Sequence, residues 1–136
     1  MIEFEIKDVE SSAYLRFEGK ITQGQVAYDG CSFALKLHST NVSATTHAYD
    51  CQFNKWTRFF EELASNSGGW NGVTDCESLE GDLRLEATSD SLGHIRLRIR
   101  LRNVDPRTMW SAETSITLEA GQLDTLAKQA KAYFGC

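Results

Sequence analysis

The sequence has few of the features that would place it in a membrane or at a metal centre. It holds one proline, and none of its apolar runs approaches the roughly 20 residues that a helix needs to cross a bilayer. Residues 1–6 alternate acidic and apolar side chains and do not resemble a secretory signal peptide. No CxxC pair, the usual spacing of a structural zinc site, occurs. These absences predict a soluble, cytoplasmic protein with no membrane segment and no cofactor.

The chain is long enough for one hydrophobic core. Single cores organise roughly 100–200 residues, so 136 residues fit one domain over residues 1–136. A content of 41% hydrophobic and 10% aromatic residues excludes a disordered acidic tail, and such a core needs no disulfide or metal. The four cysteines, at positions 31, 51, 76 and 136, are widely spaced. Without an export signal, reduced thiols are the expected state.

Charge is unevenly distributed along the chain. The net charge is −5, which disfavours broad nucleic-acid binding because phosphate contacts need clustered Lys and Arg. Residues 1–82 carry 13 acidic and 6 basic side chains, whereas residues 83–136 carry 6 acidic and 8 basic ones. Segregated charge steers association and specifies partners more than it stabilises a fold. The distribution therefore favours recognition of a protein.

Hydrophobic periodicity predicts strands followed by a helix, twice over. Period-two alternation predicts strands in residues 2–6, 14–17, 21–28, 33–38, 42–49, 83–88, 95–102 and 110–118. Helical stripes predict one helix through Phe53, Trp56, Phe60 and Leu63, and a second through Leu123, Leu126, Ala127, Ala130, Tyr133 and Phe134. Sliding the sequence by 70 residues superimposes the two stripes. The pattern predicts an α+β fold: an antiparallel β-sheet with two amphipathic helices packed on one face, compatible with a degenerate strands-helix duplication.

Local signals predict where the helices begin and end. Asp50 is a good N-cap residue for the first helix, because its carboxylate can accept hydrogen bonds from free amides of the first turn. Gly68 and Gly69 are expected to end that helix, and Gly135 to end the second.

Four arginines form the most visible polar pattern. Arg96, Arg98, Arg100 and Arg102 alternate with apolar residues, so they share one face of one strand at intervals of about 6.6 Å. One interpretation is an anion-binding face. The other is a solvated sheet face neutralised by neighbours, with Glu86 opposite Arg96 and Glu113 opposite Arg98. No aromatic residues interleave with the arginines to stack nucleic-acid bases.

A second polar pattern is acidic and follows a Gly-rich loop. Its candidate partner-binding residues are Trp70, Asp75, Glu77, Glu80 and Asp82, with Glu61 and Glu62 as further candidates. Such carboxylates on a loop suit a basic protein partner, a hard cation or merely solvent. The calcium-loop spacing is not met, so no metal ligand is assigned. Trp70 is expected either to close the edge of the core or to anchor an interface.

Catalytic signatures are missing from the sequence. The three histidines, at 38, 47 and 94, lie in no metal-binding spacing, and no GxSxG elbow or phosphate-binding glycine loop occurs. The sequence therefore favours a protein that is not an enzyme. The alternative is a small-molecule binder or enzyme with a pocket between sheet and helices, lined by His47, Tyr49, Trp110 or Thr114.

One stretch of the chain resembles a known family. The resemblance lies in residues 76–87, 93–95, 110–113 and 118–123, and it extends to the first helix and to the loop at Gly69 and Trp70. Over roughly residues 45–134 the chain is similar to a family of small bacterial proteins of unknown function. The resemblance implies a bacterial source and brings no activity, cofactor or catalytic residue.

The combined sequence evidence predicts a non-enzymatic protein-binding module. An immunity-type or inhibitor protein that neutralises a partner through an acidic surface fits the segregated charge. No nucleic-acid or membrane partner is expected. The state is expected to be a monomer or a homodimer, since an exposed edge strand at residues 2–6 is able to pair with a second copy.

Overall fold

The computed structural model describes residues 3–22, 31–50 and 54–135, and the side chains of residues 21, 22 and 31 are outside that description. In chain order the described elements are four strands, an α-helix, four strands, a short 3₁₀ turn at Ala120–Gln122 and a second α-helix. Their bounds are β1 Glu3–Lys7, β2 Tyr14–Thr22, β3 Cys31–His38, β4 Ser43–Asp50, α1 Asn54–Ser65, β5 Thr74–Glu77, β6 Leu83–Ser89, β7 His94–Asn103, β8 Trp110–Glu119 and α2 Leu123–Phe134. The part of the expected strand at 23–28, together with Phe53, lies outside the described residues.

The strands form two antiparallel meanders. Strands β1 to β4 make one four-stranded sheet, here the N-terminal sheet, and β5 to β8 make another, the C-terminal sheet. Each sheet runs in sequence order and is followed by one helix. The predicted α+β class and the two helices are confirmed, and the strands are distributed over two sheets. The repeated order of four strands and a helix is the arrangement that the superimposed helical stripes indicated.

Aromatic side chains fill the space between the N-terminal sheet and the helices. Alternation along β1, β2 and β3 turns their apolar residues to one face, where they are buried. Phe17 lies at the centre of this cluster and is fully buried. Its ring centroid lies between 5.4 and 6.3 Å from those of Phe4, Phe33, Trp56, Tyr133 and Phe134. Aromatic rings from β1, β3 and both helices therefore pack around Phe17.

The C-terminal sheet buries only one of its faces. The inward side chains of β6 and β7 are Leu83, Leu85, Ala87, Ile95, Leu97, Ile99 and Leu101, all buried. The residues that alternate with them on β6 and β7 are mostly charged and face solvent to different degrees. A one-faced antiparallel sheet is the arrangement that such alternation produces. This sheet therefore presents a charged outer face to solvent.

Among the described residues, hydrogen bonds join the turn after β1 and strand β4 directly to the C-terminal sheet. The Val9 amide donates to the Thr117 carbonyl at 3.0 Å, and the Thr117 amide donates to the Asp8 carboxylate at 2.9 Å. The Thr46 hydroxyl donates to the Arg102 carbonyl at 3.4 Å. The turn after β1 is thereby fixed to β8, and β4 to the end of β7.

The first helix ends earlier than expected, and its expected N-cap stays a prediction. Its described part begins at Asn54, and the residues that join it to Asp50 lie outside the described ranges. The Asp50 carboxylate pairs with Lys55. The helix ends at Ser65, before the glycine pair, and Gly69 adopts φ +110° in the loop that follows. Gly135 ends α2 as expected, with φ 82° and its amide donating to the Lys131 carbonyl.

Neither helix has the length and hydropathy of a membrane span. Each has 12 residues, and no helix within the described ranges is long and apolar enough to cross a bilayer. Their apolar stripes face the core described above.

The position of Phe17 gives a prediction for stability. Phe17→Ala removes the central ring and should lower the free energy of unfolding by about 3–5 kcal/mol, because the surrounding rings cannot fully close the cavity. Urea unfolding followed by tryptophan fluorescence measures the change. Leu92→Ala is the control, since Leu92 is 79% exposed and should change stability by less than about 0.5 kcal/mol. Equal effects of the two substitutions would show that Phe17 is not central to packing.

Candidate functional site

The outer face of the C-terminal sheet carries charged side chains in ordered rows. Strand pairing places Glu77, Arg84, Arg100 and Glu113 in one row, Asp75, Glu86, Arg98 and Ser115 in the next, and Thr88, Arg96 and Thr117 in a third. The face therefore mixes both charge signs: each of the first two rows holds acidic and basic side chains, and Arg96 is the charged residue of the third.

The observed register differs from the expected one by two residues. Glu86 lies opposite Arg98 instead of Arg96, and Glu113 lies opposite Arg100 instead of Arg98. The turn between β6 and β7 sets the first shift, because the Asp90 carboxylate accepts hydrogen bonds from two backbone amides and holds a compact turn. Arg98 still reaches Glu113 diagonally through its Nε atom. Neutralisation of this arginine by Glu113 occurs, although the two residues are not directly opposite.

Arg84 is the centre of an ion-pair network. Its guanidinium contacts three carboxylates: Asp75 at 2.7 Å, Glu77 at 3.2 Å and Glu86 at 2.8 Å. The other Glu77 oxygen pairs with Arg100 at 2.8 Å. The hydrogen bond to Glu86 contributes most to a raised pKa for Arg84. Two arginines and three carboxylates are thus held in fixed positions on the outer face.

The acidic candidates from the sequence have different environments. Asp75 and Glu77 are committed to the network around Arg84, while the Glu80 side chain is exposed and its carbonyl accepts a hydrogen bond from Arg102. Asp82 is buried, at 7% exposure. Glu61 and Glu62 lie on the exposed side of α1, whereas the other four lie on β5 and in the turn that follows it. These residues do not form a single free acidic surface.

Burial dominates the electrostatics of Asp82. Desolvation raises the pKa of this carboxyl, and the nearby negative charge of Glu80 raises it further, although a hydrogen bond from Ser78 acts in the opposite direction. The Asp82 carbonyl also accepts a hydrogen bond from the Arg102 amide at 2.8 Å. Asp82 therefore belongs to the structure of the turn between β5 and β6.

Trp70 packs at the edge of the core. It is half-buried and lies against the buried cluster, and its Nε1 atom has no hydrogen-bond partner among the described residues. Gly69 next to it lies so close to Ser89 that an added Cβ would stand 3.3 Å from the serine hydroxyl. Of the two expectations for Trp70, this packing supports closure of the core edge.

The arginine stripe is mostly engaged with neighbours. Arg98 pairs with Glu113, Arg100 with Glu77, and Arg102 donates to the Glu80 carbonyl. Arg96 alone of the four has no ion pair or hydrogen-bond partner within the described ranges. It lies in a shallow depression of about 330 Å³ whose polar walls are Thr88, Ser89, Asp90, His94, Thr117 and Glu10.

The residues proposed for an internal pocket do not converge. His47 is exposed, and it shares with Tyr49 the face of β4 that points away from the core. Trp110 and Thr114 lie on another strand, on the same face of β8 as the buried Ile116. Among the described residues, no three His, Cys, Asp or Glu side chains are arranged to hold a metal ion. These four residues therefore do not line one pocket between the sheet and the helices.

Sequence reasoning missed a buried ion pair behind the outer face. The Asp50 carboxylate is fully buried, and its two oxygens lie 2.9 and 3.0 Å from the Lys55 ammonium. Lys55 also donates to the Glu77 carbonyl at 2.9 Å. Burial raises the pKa of the adjacent Cys76 thiol to about 12, so this cysteine stays protonated at neutral pH. The pair joins the end of β4 and the start of α1 to β5.

The buried pair gives a second prediction. Lys55→Met leaves the Asp50 carboxylate buried without its cation and should lower the free energy of unfolding by about 3 kcal/mol. The double variant Asp50→Asn, Lys55→Met should recover most of that loss, because no isolated charge remains buried. Chemical denaturation of both variants makes the comparison. If the double variant is as unstable as the single one, the loss arises from packing and not from the uncompensated charge.

Asp82 gives a prediction on pH. Its raised pKa means that the folded state resists ionisation of this carboxyl, whereas the unfolded chain ionises near the ordinary value of 3.8. Asp82 therefore lowers wild-type stability progressively as pH rises above that value. Asp82→Asn should gain stability relative to wild type from acidic to neutral pH, measured by urea unfolding across the range. The control Leu92→Ala removes an exposed side chain that does not ionise and should show a flat difference across the range. A flat difference for Asp82→Asn would contradict the assignment.

Comparison with known proteins identifies a family and no activity. No curated protein and no solved structure matches the chain. A model of a family of unknown function (DUF6228) matches residues 6–136. The match extends beyond residues 45–134, where the sequence resemblance lies, and includes nearly all of the N-terminal sheet. The chain therefore belongs to this family of unknown function.

Proposed function

We propose that this chain is a non-enzymatic protein-binding module that docks through the outer face of its C-terminal sheet. In this proposal it acts as an immunity-type or inhibitor protein in the bacterial cytoplasm and occupies a functional surface of its partner. The docking surface consists of the three charged rows described above, with Glu80 at its rim. The partner carries both charge signs in a complementary arrangement.

The observation that carries the proposal is the network around Arg84. Three carboxylates hold this guanidinium, and a second arginine shares one of them, yet the side chains remain between 26% and 50% exposed. Charged side chains that are already fixed lose less conformational entropy when a partner binds. A surface that is both ordered and accessible is suited to specific recognition.

The mixed sign of this face changes the nature of the expected partner. A surface of free carboxylates alone would attract any strongly basic protein. Here Asp75 and Glu77 are already paired with arginines, so an undirected cation gains little from them. Complementary charge pairs give specificity more than affinity, because a partner with the wrong pattern meets like charges.

Arg96 is the member of the face that is best placed to pair with a partner. Its guanidinium has no partner among the described side chains, and the Thr88 and Thr117 hydroxyls flank it across the strands. A carboxylate of the partner reaching Arg96 would displace no existing ion pair. We therefore assign Arg96 as an anchor of the interface, next to Arg98 on the same face of β7.

The chemistry of nearby groups supports binding over catalysis. The Cys76 thiol has a pKa raised to about 12 by burial and is a poor nucleophile. His94 directs its Nδ1 atom at Asp90 at 3.2 Å, within a turn whose amides hold the pKa of Asp90 below its usual value. Both groups are engaged in maintaining local structure.

Charge reversal at Arg96 tests the proposal. Arg96→Glu breaks no described contact, so the fold should persist while partner binding weakens by about tenfold or more. The measurement is affinity capture from the host lysate with quantitative mass spectrometry, followed by calorimetry with the recovered protein. Lys128→Glu is the matched control, because Lys128 is an exposed cation on α2.

The proteins captured by the three chains show whether the partner binds the outer face of the C-terminal sheet. Proteins recovered by wild type and by Lys128→Glu, and lost with Arg96→Glu, support the outer face as the docking surface. Equal recovery by all three chains, or no specific protein with any of them, contradicts it. Circular dichroism of each variant verifies that the chain is folded.

A further inference from the structure

The first strand has one unpaired edge. Strand β1 pairs with β2 on one side, and no other described strand pairs with it on the other. A groove of about 620 Å³ lies between this edge and helix α2. On the helix side it is lined by the uncharged polar residues Gln122, Thr125 and Gln129.

The edge of β1 lacks most of the devices that block strand addition. Proteins commonly protect an edge with proline, a bulge or an inward-pointing charge. In β1 the inward side chains are Phe4 and Ile6, both buried, and the sequence Glu3–Lys7 contains no proline. The bulge recorded nearby lies on β2, between Glu18 and Ile21. The short length of β1 is its main protection, and Lys7 is the lysine expected at an edge.

The outward-facing charges of β1 are complementary to each other when two copies of the strand lie antiparallel. In an antiparallel pair of two β1 strands centred on Glu5, Glu3 of each copy lies opposite Lys7 of the partner subunit. Lys7 is 74% exposed and its own-chain contact with Glu5 is a long one of 3.5 Å, so it is able to pair across a new interface. We propose that the groove beside β1 receives β1 of a second copy, which makes this chain an antiparallel, strand-paired homodimer.

The central Glu5 does not oppose this pairing strongly. The two copies of Glu5 face each other at the symmetry axis, and like charges directly opposite are destabilising. However, Arg16 on β2 holds each Glu5 carboxylate at 2.8 Å. The hydrogen bond with Glu5 is the main cause of the raised pKa of Arg16. Two arginines therefore offset the two central carboxylates.

Other registers of the same pairing are less favourable. A shift of one residue would turn the apolar residues of one copy away from the core face. A shift of two towards the N-terminus brings Glu3 opposite Glu5 of the partner subunit, which is repulsive. A shift of two the other way needs the edge at Val9, whose amide is already bonded to Thr117. The register centred on Glu5 uses all five residues of β1 with matched ends.

The interface is expected to be small and its formation concentration-dependent. Five paired residues and the adjoining polar face of α2 bury less surface than a permanent dimer requires. Dimerisation leaves the outer face of the C-terminal sheet unused, so it does not depend on the proposed function. Arg96→Glu should dimerise like wild type, which makes failure of one proposal distinguishable from failure of the other.

Charge exchange between Glu3 and Lys7 tests the register. Glu3→Lys places two ammonium groups opposite each other in each cross-strand pair, and Lys7→Glu places two carboxylates there instead. Each single variant should weaken dimerisation by about tenfold or more, since two symmetric pairs change from attraction to repulsion. The double variant Glu3→Lys, Lys7→Glu restores opposite charges and should dimerise like wild type. Light scattering over a dilution series gives the masses.

The control and the contradicting outcomes are defined by the same experiment. Lys128→Glu on α2 changes net charge as Lys7→Glu does and should leave dimerisation unchanged. A wild-type chain that is monomeric at all concentrations overturns the proposal. A double variant that is as monomeric as the single variants, while all are folded by circular dichroism, also overturns it, because register-specific pairing requires rescue.

Discussion

The contacts of the Lys55 ammonium group link the N-terminal sheet to the C-terminal sheet, and the ordered charges of the outer face depend on this link. The ammonium group lies between the fully buried Asp50 carboxylate, at the end of the N-terminal sheet, and the Glu77 carbonyl, in the first strand of the C-terminal sheet. A buried charge is tolerated only with a partner, so each member of this pair fixes the other. Glu77 is thereby held from both sides. Lys55 binds its carbonyl from within, and two arginines bind its carboxylate on the outer face. The fixed positions of the charges on the outer face therefore depend on a buried contact.

That connection explains how a charged sheet face becomes a defined surface. Exposed ion pairs usually contribute little to stability, because two long side chains lose conformational freedom in forming them. Here the strand that carries Glu77 is anchored from behind, and β6 presents Arg84 directly opposite it. Asp75 and Glu86 approach Arg84 from the adjacent row. The network therefore organises the face more than it stabilises the fold. Defined charge positions are what recognition of a patterned partner requires.

The sequence predicted the faces of the strands well and their register poorly. Alternation in residues 95–102 identifies which side chains are buried, because the period of two is a local property. Register depends on the turns, and alternation carries no information about the hydrogen bonds of Asp90 that close the turn between β6 and β7. The buried pair is hidden from sequence for a related reason. A carboxylate before a helix indicates a cap, and nothing local indicates that Lys55 reaches Glu77, 22 residues away.

The net charge of −5 also has a structural explanation that composition does not provide. The cluster from Asp75 to Asp82 was the most acidic stretch, yet arginines neutralise Asp75 and Glu77, and burial favours the neutral form of Asp82. The excess negative charge lies instead on carboxylates that have no ion pair within the described ranges. These include Glu10, Glu18, Glu61, Glu62, Glu80 and Asp124. They are scattered over several elements, so they repel other copies of the chain without specificity. In our proposals, specific attraction arises at the outer face of the C-terminal sheet and at the edge of β1, where opposite charges are in register.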